Sequence, residues 1–428
     1  MIRSTLLHGA VPALLLSACI CLPALAETVP RTMNEIVALA LTHSAELTAL
    51  EKDATAKQSL AVQAGTLNNP TLELQGSTGS LTGSPDEQTA SIGINQELPL
   101  YGKLRLRREA LQREAEALQR QRDNSARLLK DEVATLALEY SLAAKRQELS
   151  AKLVQLNRDL EVIAGERFKA GDIPELELNL AKVELARAES RLLEVERERI
   201  PLRIKIASLT GLNESDVNLS DTDFKPALSK SRQELVRQAL ASRPDLLALA
   251  FERDKAETEN RLAKVEALPN LTAGLFAQWQ RGKTELGGMS EISNDTQLGL
   301  RLSMPIPVFD RNKGGRAAAQ AHLDGANSRL LALKRTVTAE VEAAVSRLSS
   351  SERILALLEQ GIIPQLTENM KLTQEAYRIG EVGILSVIDE QKKFFEVNDN
   401  YLAAQHNRRV ALIKLESAVA TDLSGGVQ

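Results

Sequence analysis

The sequence predicts a mainly α-helical protein with a small β part, laid out twice as a helix, a β-hairpin and a long helical hairpin. Three observations lead there. Aromatic residues are scarce, one Trp, four Tyr and seven Phe in 428 residues, while Leu, Ala, Glu, Arg and Lys dominate, which is the balance of long helices and coiled coils. Landmark residues recur at a nearly fixed offset, the mark of an internal repeat. Four short runs alternate apolar and polar side chains, the period of a strand with unlike faces.

The repeat is anchored by two capping boxes, Thr32-x-x-Glu35 and Ser231-x-x-Glu234, which open amphipathic helices. They lie 199 residues apart, the difference between positions 32 and 231, and Pro70 and Pro269 keep that spacing. Leu98-Pro99 and Met304-Pro305 are offset by 206, and Gly171 and Gly380 by 209, so the second copy gained residues in two places.

Residues 1–26 read as an export signal: Arg3, an apolar run from Val11 to Leu22, then Pro23-Ala24-Leu25-Ala26 with cleavage after Ala26. A competing cut exists at Leu16-Ser17-Ala18-Cys19, which has the shape of a lipobox and would leave a lipidated Cys19. Cys19 and Cys21 are the only cysteines, so cleavage after Ala26 leaves a mature chain with no disulfide. No later stretch has the ~18 consecutive apolar residues of a spanning helix, so any membrane crossing falls to strands.

The first unit, 27–211, carries a helix at about 32–66, a hairpin at about 70–100 and long helices at about 102–168 and 174–210, with Gly211 as C-terminal cap. A polar linker, 212–230, contains Pro226. The second unit, 231–420, repeats the order with a helix at 231–266, a hairpin at 269–309 and long helices at 313–376 and 384–420, leaving a tail at 421–428. Leu111, Ala115, Leu118, Ser125, Leu129, Leu136, Tyr140 and Ala143 advance by threes and fours, the coiled-coil spacing. Helices of that length reach on the order of 100 Å and must pack side by side. A solvated coiled-coil rod would explain this periodicity but not the hairpins.

In the hairpins Leu72 and Leu74 oppose Glu73 and Gln75, and Ala90, Ile92, Ile94 and Leu98 oppose Ser91, Gly93, Asn95 and Glu97. Leu271, Ala273, Leu275, Ala277 and Trp279 oppose Thr272, Gly274 and Gln278, with Phe276 out of phase. Leu298, Leu300, Leu302 and Met304 oppose Gln297, Gly299, Arg301 and Ser303. Runs of ~10 residues suit a tilted strand crossing the hydrocarbon layer. Apolar-out, polar-in alternation is the outer-membrane barrel pattern. Four strands cannot close in lipid, where open edges are forbidden. Three copies would supply twelve strands, an even number within the known range, so this reading argues for oligomerisation, with a homotrimer as the twelve-stranded case, in outer-membrane lipid. On pattern alone the competing reading is a small soluble sheet covered by helices.

Charge and motifs exclude other classes. Asp and Glu number 57 against 53 Lys and Arg, so no field points to nucleic acid as a partner. There is no Gly-x-Ser-x-Gly elbow, phosphate-binding glycine loop or His-Glu-x-x-His motif. His43, His322 and His406 sit on separate predicted helices without ligand spacing. No catalytic, cofactor or metal site is therefore assigned, and the chain does not read as an enzyme.

Two turns and two strand ends carry a family resemblance. The turns are Glu166-Arg-Phe-Lys-Ala-Gly-Asp-Ile-Pro-Glu-Leu-Glu-Leu178 and Glu375-Ala-Tyr-Arg-Ile-Gly-Glu-Val-Gly-Ile-Leu-Ser-Val-Ile-Asp389. With them, nearly the whole mature chain resembles the TolC family of outer-membrane factors. The strand ends Leu98 to Ala110 (LPLYGKLRLRREA) and Met304 to Gly315 (MPIPVFDRNKGG) look most like its CzcC-type heavy-metal efflux subgroup.

The resemblance implies a trimer whose twelve-stranded outer-membrane β-barrel continues into a twelve-helix periplasmic α-barrel tunnel. Its tips would meet the periplasmic adaptor of an inner-membrane RND pump. The expected role is a passive channel in the outer membrane of a Gram-negative cell, with a large periplasmic portion, exporting divalent heavy-metal cations. Drug efflux and type I protein secretion are the alternatives within that class; a periplasmic adaptor and a coiled-coil structural protein lie outside it. Phe168, Gly171, Glu177, Tyr377, Gly380, Val382 and Asp389 fall at the implied tip, gate and adaptor-docking region, and Pro99, Gly102, Pro305, Pro307, Asp310, Asn312 and Gly314 at the barrel–tunnel joint. Tyr377 and Glu177 match gate-locking positions and Asp389 an acidic ring, with Glu390 beside it, whereas Val382 replaces a gate arginine and Ser386 a second acidic ring. Asp389 and Glu390 also fit a second reading, as solvated helix residues.

Overall fold

A computed structural model of the chain describes residues 31–219, 230–286 and 289–423. The export signal with Cys19, the middle of the linker and residues 424–428 lie outside the described residues.

The predicted order is observed, with breaks. The first capped segment forms two helices, α1 (Met33–His43) and α2 (Ala45–Ala64). Ser44 ends one and caps the other, its hydroxyl accepting from the Leu47 N–H at 3.3 Å. The second capped segment also divides, into α5 (Arg232–Ser242) and α6 (Pro244–Glu266). Here the cause is Pro244, whose ring disfavours helical geometry at the preceding residue and leaves Arg243 extended. The single helices expected over 32–66 and 231–266 are thus each two. Both capping boxes form, with Glu35 and Glu234 accepting from the Thr32 and Ser231 backbones at 2.8 Å.

The long hairpins are α3 (Lys103–Ala170) with α4 (Glu175–Thr210), and α7 (Lys313–Leu357) and α8 (Ile363–Arg378) with α9 (Ile384–Val419). At ~1.5 Å per residue the 68 residues of α3 extend roughly 100 Å. Unlike α3, the partner helix is interrupted by a π-turn at Leu358–Ile362, between α7 and α8. Gly361 lies within it and Pro364 in the first turn of α8 just after it, and both weaken regular helical bonding.

Between the helices lie β1 (Thr71–Gly79), β2 (Ser84–Leu98), β3 (Leu271–Leu286) and β4 (Met289–Ser303), one antiparallel sheet in the order β1-β2-β3-β4. The two repeats therefore join through β2 and β3. Strands β2, β3 and β4 are 15, 16 and 15 residues long, outrunning their apolar stretches by a polar end.

Burial is concentrated in three clusters strung along the helices. Leu235, Val337, Val341 and Leu415 join α5, α7 and α9; Ile36, Val133, Leu136 and Ile206 do the same for α1, α3 and α4. The third lies at the helical tips. Arg243, 3% exposed, is held by Asp245 at 2.6 Å and by Glu340. No helix among the described residues is long and apolar enough to cross a membrane.

Candidate functional site in the sheet, the joint and the tips

The sheet has two unlike faces because its register aligns the alternating residues of all four strands. Leu72, Ile94, Leu275 and Leu300 form one cross-strand row, and Leu74, Ile92, Ala277 and Leu298 the next. These side chains face open space: Leu298 is 85% exposed, Leu300 78% and Leu74 71%. Among the described residues no helix covers them, whereas a soluble sheet packed under helices would require such a cover. The opposite face carries rows such as Gln75, Ser91, Gln278 and Gln297. Strands β1 and β4 are the outer members, so each has an edge without a partner among the described residues.

At the joint the chain turns sharply from strand to helix. After Pro99, Tyr101 and Gly102 adopt left-handed backbone (φ 61° and 72°). The next residue, Lys103, is only 3% exposed, and its ammonium donates to the Leu268 carbonyl and to Asn270 Oδ1, both at 2.6 Å. Asn270 in turn donates to Glu97 at 2.7 Å, and Asn68 donates to the other Glu97 oxygen at 3.2 Å. This network binds the first repeat to the second. Burial, and then the nearby charge of Arg107, lower the Lys103 pKa from its usual value.

On the other side, Pro305 and Pro307 lie in the irregular segment after β4, where the Val308 N–H reaches the Ile306 carbonyl at 2.8 Å. Asp310 accepts from the Asn312 N–H at 2.8 Å, and Asn312, left-handed at φ 53°, donates to the Ala263 carbonyl at 2.9 Å. Gly314 borders open space, whereas a Cβ on Gly315 would strike the Asn312 side chain. Sequence reasoning selected Asp310 and Asn312 but missed Lys103 and Asn270. A buried lysine at a helix start has no local signature.

The helical tips end alike. Gly171 and Gly380 are left-handed (φ 83° and 85°). The Asp172 N–H reaches the Arg167 carbonyl and the Glu381 N–H the Ala376 carbonyl, each at 2.9 Å, closing the same glycine-capped turn twice. Tyr377 is 1% exposed and packs with Leu160, Ala164, Ile173, Ala181 and Ile384, while Phe168 is 39% exposed. Val382 packs partly buried against the same cluster. Arg167 lies over the Tyr377 ring, 5.0 Å from its centre.

The Tyr377 hydroxyl and Glu177 Oε2 are enclosed without a hydrogen-bond partner. Burial first, then the Glu177 carboxylate, push the Tyr377 pKa up, against the opposing pull of Arg167. The structure thus brings Tyr377, Glu177 and Val382 into one tip. Asp389 is exposed on α9 and pairs with Lys393 at 2.6 Å, and Glu390 lies 4.0 Å from the same ammonium. Ser386 is exposed on the first turn of α9.

The histidines stay apart. His322 is exposed, the His43 ring lies 2.7 Å from where a Cβ on Gly211 would be, and His406 is half-buried. No group of three or more His, Cys, Asp or Glu that could hold a metal ion occurs among the described residues.

A family model described as "Outer membrane efflux protein" matches residues 36–212 and 235–421. Among curated proteins, the chain is 26% identical over 244 residues to the cobalt-zinc-cadmium resistance protein CzcC of Cupriavidus metallidurans, covering 56% of this chain and 55% of that protein. It is 25% identical over 270 residues to the pyoverdine export outer membrane protein OpmQ of Pseudomonas putida, covering 61% and 54%. The chain thus spans about half the length of these curated relatives. Among solved structures, CusC superposes with a TM-score of 0.75 at 16% identity over 92% of this chain and 93% of that one. The outer membrane protein VceC of Vibrio cholerae superposes with 0.72 at 16% identity, over 91% and 96%. At such identities the likeness speaks for the fold.

Proposed function

The chain belongs to the outer membrane efflux protein family, and from that premise we propose that it is the outer-membrane channel of a tripartite RND-type efflux system, a passive duct for divalent heavy-metal cations. The observation that carries the reading is the sheet: an uncovered apolar face, a polar reverse face and two open edges. A four-stranded sheet of this kind is stable in lipid only when its edges are paired. Pairing β4 of one copy with β1 of the next, three times, closes a twelve-stranded barrel. The apolar rows then meet lipid and the polar rows line a water-filled path. The long hairpins extend that path as a tunnel in the periplasm, where its tips engage a periplasmic adaptor protein. Transport of this kind calls for no catalysis, because the driving force comes from the inner-membrane pump.

The choice of heavy metals is supported by the likeness to CzcC and by the strand-end sequences at the joint. The likeness to a pyoverdine exporter favours a second reading, export of an organic compound. Deleting the gene in its host and scoring growth on Zn, Cd, Co, Ni and Cu beside dyes and antibiotics separates the two. Sensitivity confined to one or more divalent metals is expected. Sensitivity to organic compounds alone keeps the channel and overturns its assignment to metals.

A further inference from the structure

On the polar face of the sheet, a contact joins its two outermost strands. Arg301 on β4 and Glu73 on β1 are separated by β2 and β3, yet their side chains meet at 2.8 Å. Asn95 on β2 donates to the same Glu73 oxygen at 2.9 Å. With ~4.8 Å between neighbouring strands, the outer pair of a four-stranded sheet is roughly 14 Å apart, a gap these side chains span only by lying along the surface. Glycine keeps that surface clear. Gly274 stands opposite both Asn95 and Arg301, and a Cβ there would collide with Asn95 Oδ1. Phe276, the residue out of phase with the alternation of β3, lies over Gly299, where a Cβ would strike its ring. The Arg301 guanidinium stands 5.3 Å from the centre of that ring.

We propose that Glu73 sets the charge of the barrel wall by cancelling Arg301. This inference rests on the channel reading, in which this face lines the water path. Without Glu73, three copies would place a ring of three guanidinium groups around that path, and a ring of this sign attracts anions and repels cations. Both side chains are about half exposed, 48% for Arg301 and 47% for Glu73, so the pair contributes little to stability. Its effect is on the sign of the potential that a passing ion meets. A duct for cations needs that positive ring neutralised, and Phe276 with Asn95 hold the two charges in register for it.

The test uses the purified full-length protein in planar bilayers under a KCl gradient. Ionic strength is kept at about 10 mM, where the Debye length is about 30 Å. Glu73→Gln is expected to lower the potassium-over-chloride permeability ratio about two- to threefold, the change produced by roughly half a kT in local potential, which acts on cation and anion in opposite directions. It should also make the current sensitive to hexacyanoferrate(II) added on the barrel side. Arg301→Gln should shift the ratio the opposite way, and the double variant should return it to the wild-type value. A wild-type ratio in Glu73→Gln, without hexacyanoferrate block, overturns the proposal. If that variant does not assemble, Arg301→Gln decides alone, an unchanged ratio overturning it. Wild-type protein that forms no conducting pore strikes the channel reading instead.

Discussion

The Arg167 guanidinium stands over the ring of Tyr377 and donates to that residue's own carbonyl at 3.0 Å. One side chain thereby ties the end of the first helical hairpin to the end of the second. Its stacking contributes about 0.5–2 kcal/mol and its charged hydrogen bond about 1.5–3 kcal/mol. Arg167→Ala is expected to loosen the tip and raise single-channel conductance. Arg167→Lys should restore it only in part, because a lysine lacks the planar group that stacks.

Tyr377 itself separates packing from polarity. Its ring is buried but its hydroxyl has no partner, so Tyr377→Phe should leave stability unchanged or raise it by up to about 1 kcal/mol. Tyr377→Ala should cost about 3–5 kcal/mol through the cavity it leaves. Urea unfolding in detergent measures both. A clear loss in the Phe variant would mean that the hydroxyl finds a partner in the assembled protein.

At the joint, Lys103→Met would strand the Leu268 carbonyl and the Asn270 side chain, both now satisfied by the ammonium. The expected cost is about 2–4 kcal/mol, read as a lower melting temperature. Arg107→Met removes a half-exposed pair with Glu266 and should cost less than about 1 kcal/mol.

The two faces of β4 make opposite predictions. Leu300→Arg places a charge on the apolar face, at a cost of about 2–4 kcal/mol near the middle of a bilayer, and should sharply reduce outer-membrane assembly. Gln297→Arg, on the polar face, should assemble normally. Immunoblots of outer-membrane fractions compare them, and equal yields would reject the barrel.

His406 gives a pH dependence. Burial lowers its pKa below the usual histidine value, outweighing the Leu138 carbonyl and Glu139, which raise it; Arg146 and Arg409 also lower it. The unfolded chain then takes up the proton more readily than the folded one. The stability contributed by neutral His406 is present above the unfolded pKa, near 6.5, and is lost as pH falls through the lower folded value. Melting temperature should therefore decline from pH 7.5 to 5, and His406→Gln should flatten that slope.

At the helical tip, Asp389→Asn is expected to weaken cation preference and block by multivalent cations in planar bilayers. Lys393, bound to Asp389 at 2.6 Å, partly neutralises it, so Lys393→Gln should act in the opposite sense. Unchanged selectivity in both variants removes Asp389 from the mechanism.

Much of this architecture was legible because its signals are local. Thr32, Ser231, Gly171 and Gly380 mark helix ends through their own backbone bonds, and strand alternation needs only neighbouring residues. The division at Arg243 was also present, in Pro244, and went unread. The break at Ser44 was not legible, because a serine inside a helical pattern has two uses and packing chooses between them. Nor was the π-turn at Leu358–Ile362, whose Glu359 meets Tyr401 on a different helix at 3.0 Å.

By itself the sequence determined the duplication, the long helical hairpins and four strands with one apolar face, since these follow from periodicity and capping within short stretches of chain. Only the tertiary structure decided that Lys103 joins the repeats, that Arg167 covers Tyr377 and that Arg301 reaches Glu73 across two strands. Those pairs lie far apart in the chain, and no residue's immediate neighbours specify which distant partner will fill its last hydrogen bond or cancel its charge.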